Sequence, residues 1–112
     1  MTFERDDVVI VPFPFTDKTA SRRRPALVVS SRANFGAATG QVVLAMITTA
    51  RSSDWPLDVP LTDPDAAGLR TPCRVRMKLF TLDERLVLRK AGQLAAVDRE
   101  AVDDALGRLL GR

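Results

Sequence analysis

The sequence predicts a small, β-rich α+β domain. Two observations carry that expectation. Short apolar or alternating runs, punctuated by proline and glycine, fill the chain through Leu94. One amphipathic helical pattern then closes it, so strands precede the helix rather than alternating with helices as βαβ units do. At 112 residues, with 46% hydrophobic and 28% charged residues, residues 1–112 are expected to form one domain with a single core.

The elements follow in order. Val8 to Phe13 reads as a strand ended by Pro12 and Pro14, because proline cannot donate to a ladder. Residues 14–24 read as a polar loop ending in Arg22, Arg23 and Arg24. Ala26 to Ser30 is a second strand entered through Pro25, and Ser31 to Gly40 a polar link. Gln41 to Thr49 is nearly continuous in apolar residues, as expected of a strand buried on both faces. Arg51 to Pro56 is a loop, and Leu57 to Leu61 alternates as a short edge strand. Thr62 to Pro72, with Pro64, Gly68 and Pro72, is a loop. Cys73 to Lys78 alternates strictly, with one apolar and one cationic face. Thr81 to Arg85 suggests one helical turn capped by Thr81. Leu88 to Leu94 returns as a strand, with Gly92 at a bulge or close approach. Val97, Ala101, Val102, Ala105, Leu106, Leu109 and Leu110 mark one helix face, with Asp98 as the expected N-cap.

Composition removes several chemistries. The chain has no histidine and one cysteine, Cys73. Histidine-based triads, the usual zinc sites and a disulfide within the chain are therefore out of reach. Cys73 reads as a small buried apolar side chain. Any catalysis must use Arg, Lys, Ser, Thr, Asp or Glu, and no cofactor is expected. No apolar run approaches the ~20 residues of a membrane helix, and the charged start lacks a leader pattern. A cytoplasmic location away from membranes is expected.

Net charge is only +3, but its distribution is uneven. Residues 18–53 carry Lys18, Arg22, Arg23, Arg24, Arg32 and Arg51 with no Asp or Glu. Such a stretch suits either a nucleic-acid surface or a solvated face. Three adjacent guanidiniums call for a compensating anion, and phosphate matches their fork geometry.

Two blocks in order, Asp7-Val8-Val9-Ile10-Val11-Pro12-Phe13-Pro14-Phe15-Thr16-Asp17 and Arg23-Arg24-Pro25-Ala26-Leu27-Val28-Val29-Ser30, resemble the PemK/MazF family of toxins. Ala45 to Thr49, Gly68-Leu69, Val75, Thr81-Leu82-Asp83 and Gly92-Gln93-Leu94 extend the resemblance over nearly the whole chain. One departure is visible: the family opens with Gly-Asp where this chain has Asp6-Asp7. Glycine there permits backbone angles that aspartate tolerates less well.

The resemblance implies a partly open SH3-like β-barrel, shared with the CcdB toxins, carrying helices outside. It implies a homodimer with single-stranded RNA, often mRNA, in a groove across the interface. It implies a metal-independent, sequence-preferring endoribonuclease and an antitoxin whose disordered acidic segment folds into the groove. By resemblance the catalytic pair maps to Arg24 and Thr48. Arg24 would neutralise the scissile phosphate and Thr48 would donate a hydrogen bond to a phosphate or leaving oxygen.

Further RNA contacts are expected of Arg22 and Arg23 at flanking phosphates. Arg51, Ser52 and Ser53 follow Thr48 in the next loop. Trp55 offers a stacking surface, and Arg76 lies on the cationic strand face. Two other readings stand beside the nuclease. One is a barrel of this shape that poisons DNA gyrase, as the CcdB toxins do. The other is an inactive relative that binds RNA or antitoxin without cutting.

Overall fold

A computed structural model describes residues 1–13, 22–49 and 54–112. Its strands are β1 (Asp7–Phe13), β2 (Arg22–Val28), β3 (Gln41–Thr48), β4 (Val59–Pro60), β5 (Arg74–Asp83) and β6 (Arg89–Gln93). They form one antiparallel sheet in the order β4-β5-β3-β2-β1-β6, curled into a half-barrel. Helix α2 (Ala96–Leu109) follows the last strand. This is the β-rich α+β architecture that the sequence predicts.

The sheet is buried on both faces, each by its own cluster. Val8, Leu27, Ala45, Ile47, Val75 and Met77 face Val102 and Ala105 of α2. Val9, Val11, Ala26, Val28, Val42, Leu44 and Leu82 occupy the opposite face under Phe3 and Val87. The period-two geometry of a strand explains why β1 and β3 read as continuous apolar runs: alternate residues serve different cores. Val75 and Met77 of β5, and Cys73 just before it, lie in the cluster on the helix side, as the alternation predicts. Arg74, Arg76 and Lys78 are left to the other side.

Several local expectations are corrected. Arg22 to Arg24 do not end a loop; β2 begins at Arg22, opposite Phe13. Pairing with β1 extends the strand through them, with Arg23 opposite Pro12 and Arg24 opposite Val11. The three arginines thus lie on a paired strand and not in a loop. The link after β2 is helical, with a π-helical turn at Arg32–Gly36 leading into α1 (Ala37–Thr39). The turn expected from Thr81 starts later, because β5 stays paired with β3 as far as Asp83 opposite Gln41. A 3₁₀ turn, Glu84–Leu86, follows, and Asp83 caps it by accepting from the Arg85 N–H at 2.9 Å.

Helix α2 is capped differently from the sequence pattern. Ala95 occupies the cap position without a side-chain bond. Asp98 is instead 1% exposed within the first turn and turns inward. It accepts from the Thr62 N–H at 2.9 Å, the Thr62 hydroxyl at 2.8 Å and the Asp63 N–H at 3.1 Å. The apolar stripe divides as well: Val102 and Ala105 are buried, whereas Val97 and Leu110 are 58% and 64% exposed.

The loop from Thr62 reaches β6 through two glycines. A Cβ on Gly92 would sit 2.5 Å from the Ala66 carbonyl oxygen and 2.7 Å from the Ala67 carbonyl carbon. Gly68, at φ +74°, would collide in turn with the Ala91 carbonyl. The close approach expected at Gly92 is therefore present, beside a register shift between Val8 and Val9. The departure at Asp6 also has a structural form. Asp6 holds φ +75°, donates its N–H to Val28 and accepts from Leu94. The turn keeps the geometry that glycine would favour.

Candidate active site

The face of the sheet away from α2 is apolar at one end and changes character at the other. Arg24 continues the β2 series Ala26 and Val28, while Met46 and Thr48 continue the β3 series Val42 and Leu44. The β2–β3 ladder pairs Ala26 with Met46, and two residues further along each strand stand Arg24 and Thr48. Sheet register thus brings together two residues that are 24 positions apart in the chain.

Two clefts meet at this point, and Arg24, Ile47 and Thr48 line both. The first holds about 260 Å³ and is lined by Arg22, Arg23, Arg24, Thr48, Thr49 and Cys73. Its lining combines guanidiniums with hydroxyls, a chemistry suited to a phosphate. The second holds about 310 Å³. Phe13, Met46, Leu79 and Phe80 give it an apolar lining, and Arg24, Arg76 and Lys78 add cations. That combination suits a flat, polar-edged group such as a nucleobase beside its phosphate.

The Arg24 guanidinium stacks over Phe13, its Cζ 4.9 Å from the ring centroid. Its Nε is buried without a hydrogen-bond partner among the described residues. A buried donor left unpaired carries a desolvation cost of about 1–3 kcal/mol, which an anion in either cleft would offset.

The cationic face of β5 is organised by an acid that the sequence reading did not single out. Arg76 donates from Nε to Asp58 Oδ1 at 3.2 Å and from Nη2 to Oδ2 at 3.0 Å. Arg74 Nη1 lies 3.9 Å from the same Oδ2. The bond to Asp58 holds the Arg76 guanidinium above its ordinary pKa, against a smaller opposing effect of burial. Trp55 lies beyond this pair. Its indole N–H donates to the Met77 carbonyl at 3.4 Å, and its ring faces Arg76 Cζ at 5.4 Å and Lys78 Nζ at 5.8 Å. The signal for Asp58 was present as an acid in an alternating edge strand, but only the β4–β5 pairing discloses its partner.

Of the sequence-predicted residues, the structure gathers Arg22, Arg23, Arg24 and Thr48 around the first cleft. It places Arg76 at the second, with Trp55 behind Arg76 and Lys78. Arg51, Ser52 and Ser53 lie outside the described residues. Among the described residues, no three of His, Cys, Asp or Glu are grouped to hold a metal ion. Among the described residues, no helix is long and apolar enough to cross a membrane.

Comparison with known proteins converges on one group. No curated protein matches the chain significantly. An endoribonuclease from a Mycobacterial species, solved in complex with its cognate antitoxin, superposes with a TM-score of 0.77 at 23% identity, covering 98% of this chain and 96% of that one. MazF in a MazE–MazF crystal structure from Deinococcus radiodurans gives a TM-score of 0.73 at 26% identity, covering 99% and 97%. The Mycobacterium tuberculosis toxin MazF-mt6 gives 0.71 at 21% identity, covering 94% and 96%. The profile of the PemK-like, MazF-like toxins of type II toxin–antitoxin systems matches residues 4–110, and the chain belongs to that family.

Proposed function

We propose that this chain is a metal-independent, sequence-preferring endoribonuclease that cuts single-stranded RNA, mRNA included, as the toxin of a type II toxin–antitoxin pair. The observation that carries the reading is the position of Arg24 and Thr48 on the wall shared by a basic cleft and an apolar, aromatic one. One nucleotide step presents those two needs together, a phosphate and a base. Family membership and the fold shared with an endoribonuclease support the same reading.

The chemistry uses the RNA's own 2′-hydroxyl. Its oxygen attacks the adjacent phosphorus and gives up its proton to solvent water, the bond to the 5′ oxygen breaks, and that oxygen takes a proton from water, leaving a 2′,3′-cyclic phosphate and a 5′-hydroxyl. The pentacoordinate phosphorane concentrates negative charge, so catalysis rests on donors placed where that charge develops. Arg24 neutralises the phosphorane, its guanidinium aligned by stacking on Phe13. Thr48 donates to a phosphate oxygen or the departing 5′ oxygen. Arg22 and Arg23 engage flanking phosphates.

Two partners follow. The basic cleft suits an antitoxin with an acidic disordered segment, and relatives of this fold were solved with their antitoxins. A homodimer would extend the groove across two copies, within the cytoplasm. The test uses purified protein, EDTA and a pool of single-stranded RNA. Wild type should cut, and Arg24→Ala and Thr48→Ala should each lose about 10²–10³ in rate. Equal cutting by all three would refute the assignment of the pair. No cutting by wild type would turn attention to RNA binding alone or to a protein target such as gyrase.

A further inference from the structure

Arg74, Arg76 and Lys78 look equivalent in the sequence, three cations on one strand face. The structure separates them. Asp58 takes both arms of the Arg76 fork, at 3.2 and 3.0 Å, and lies 3.9 Å from Arg74. The Asp58 side chain is only 7% exposed, so this pair is largely shielded from solvent. A strained residue delivers it: Leu57, immediately before, holds φ +67°, a region costly for a branched side chain. Lys78 lines the second cleft beside Arg76 but differs in two respects: it is exposed, and it makes no ion pair among the described residues. It also stands where the β3–β5 register shifts, between Ala45 opposite Leu79 and Met46 opposite Arg76. Such irregularities re-aim side chains beside functional sites.

We propose that Lys78 binds an RNA phosphate at the edge of the second cleft, and that Arg76 is a positioning residue held by Asp58. This rests on the RNA-cutting reading above. Were Arg76 to turn its fork to a phosphate, it would break both of its bonds to a shielded carboxylate. Lys78 breaks no ion pair among the described residues when it meets a phosphate, and its flexible stem brings a point charge to a moving backbone. Trp55 completes the arrangement. Its ring, fixed by the bond to the Met77 carbonyl, attracts both cations and holds the Lys78 ammonium near the cleft.

Counterion release distinguishes the two roles. Each phosphate neutralised on a single strand contributes about 0.7 to the slope of log affinity against log salt. The probe is a random-sequence 2′-O-methyl RNA, which lacks the attacking hydroxyl, with binding followed by anisotropy over a NaCl series. Lys78→Gln should lower the slope by about 0.7, and Lys78→Arg should restore it. Arg76→Gln should leave the slope unchanged while weakening affinity. Asp58→Asn, which frees the Arg76 fork, should steepen the slope. An unchanged slope in Lys78→Gln, or a loss of about 0.7 in Arg76→Gln, would overturn the assignment while leaving RNA binding intact. No binding by wild type would overturn the RNA reading and this assignment with it. Lys78 is exposed, so its variants fold and the decision does not depend on those at Arg76 or Asp58.

Discussion

Replacing Asp98 with alanine tests how the helix is fastened to the sheet. Asp98 is buried in the first turn of α2 and accepts three hydrogen bonds, two from Thr62 and one from the Asp63 N–H. A hydrogen bond to a charged acceptor contributes about 1.5–3 kcal/mol, and each buried donor left unpaired costs about 1–3. The three are not additive, because water reaches part of the opened space. The carboxylate also loses its favourable place at the helix N-terminus, about 0.3–1 kcal/mol. Asp98→Ala should therefore cost about 3–5 kcal/mol, a large share of the 5–15 typical of a whole domain. Urea unfolding followed by circular dichroism measures this directly, with the slope of the transition checking that the unfolded state is comparable.

Asp98→Asn separates the contributions. Its amide oxygen can still accept from both Thr62 donors, which share Oδ1 in the native protein. Its amino group then faces the Asp63 N–H, donor against donor. About half the cost of alanine is expected, and Thr62→Val should cost about 1 kcal/mol by losing one bond. A loss below about 1 kcal/mol for Asp98→Ala would refute the reasoning, for it would mean that water replaces the carboxylate without penalty.

Other perturbations have defined outcomes. Gly92→Ala drives a Cβ against the Ala66 and Ala67 backbone and should cost about 1–3 kcal/mol or more in urea unfolding. Gly107→Ala, in α2 with nothing within 4 Å of the new Cβ, should gain about 0.5–1 kcal/mol. Burial is the main cause raising the Asp6 carboxyl above its ordinary value, so its ionised form weakens the fold at neutral pH. That penalty vanishes below 3.8 and grows as pH rises. Asp6→Asn should thus raise the melting temperature at pH 7 and lose that advantage in acid. Asp83 has the opposite sign: the Arg85 side chain first, then its backbone N–H, lowers Asp83 to about 2. Its contribution is present above 3.8 and is lost as pH falls towards 2, so Asp83→Asn should flatten that limb of the melting curve. Arg24→Lys keeps the charge but loses the fork and the stacking on Phe13. It should lower the cleavage rate while the protein stays folded, as circular dichroism checks.

Much of the sheet was legible because strands announce themselves by period. The alternation at Cys73 to Lys78 and the apolar run at Gln41 to Thr49 depend on side-chain direction, which local sequence dictates. Errors arose where pairing overrode local preference. Arg22 to Arg24 read as loop from their charge, yet β1 supplies partners that hold them in a strand. Thr81 read as a cap, yet the ladder to β3 carries the strand past it. Asp98 matched an N-cap by residue type, but its partners, Thr62 and Asp63, lie more than thirty positions away.

The candidate site divides the same way. Residue types alone determined what chemistry was open to this protein: the absence of histidine and the basic stretch at 18–53 directed attention to arginine, hydroxyls and phosphate. The ordered motifs then singled out Arg24 and Thr48. What the sequence left undivided was the charge on β5, since three cations at alternate positions are equivalent until an anion is placed among them. The β4–β5 edge places Asp58 there and satisfies Arg76 while Lys78 stays exposed. Local sequence decides which way a side chain points from its strand. Which charge it meets depends on strand order and register, and those are set by the packing of the whole sheet.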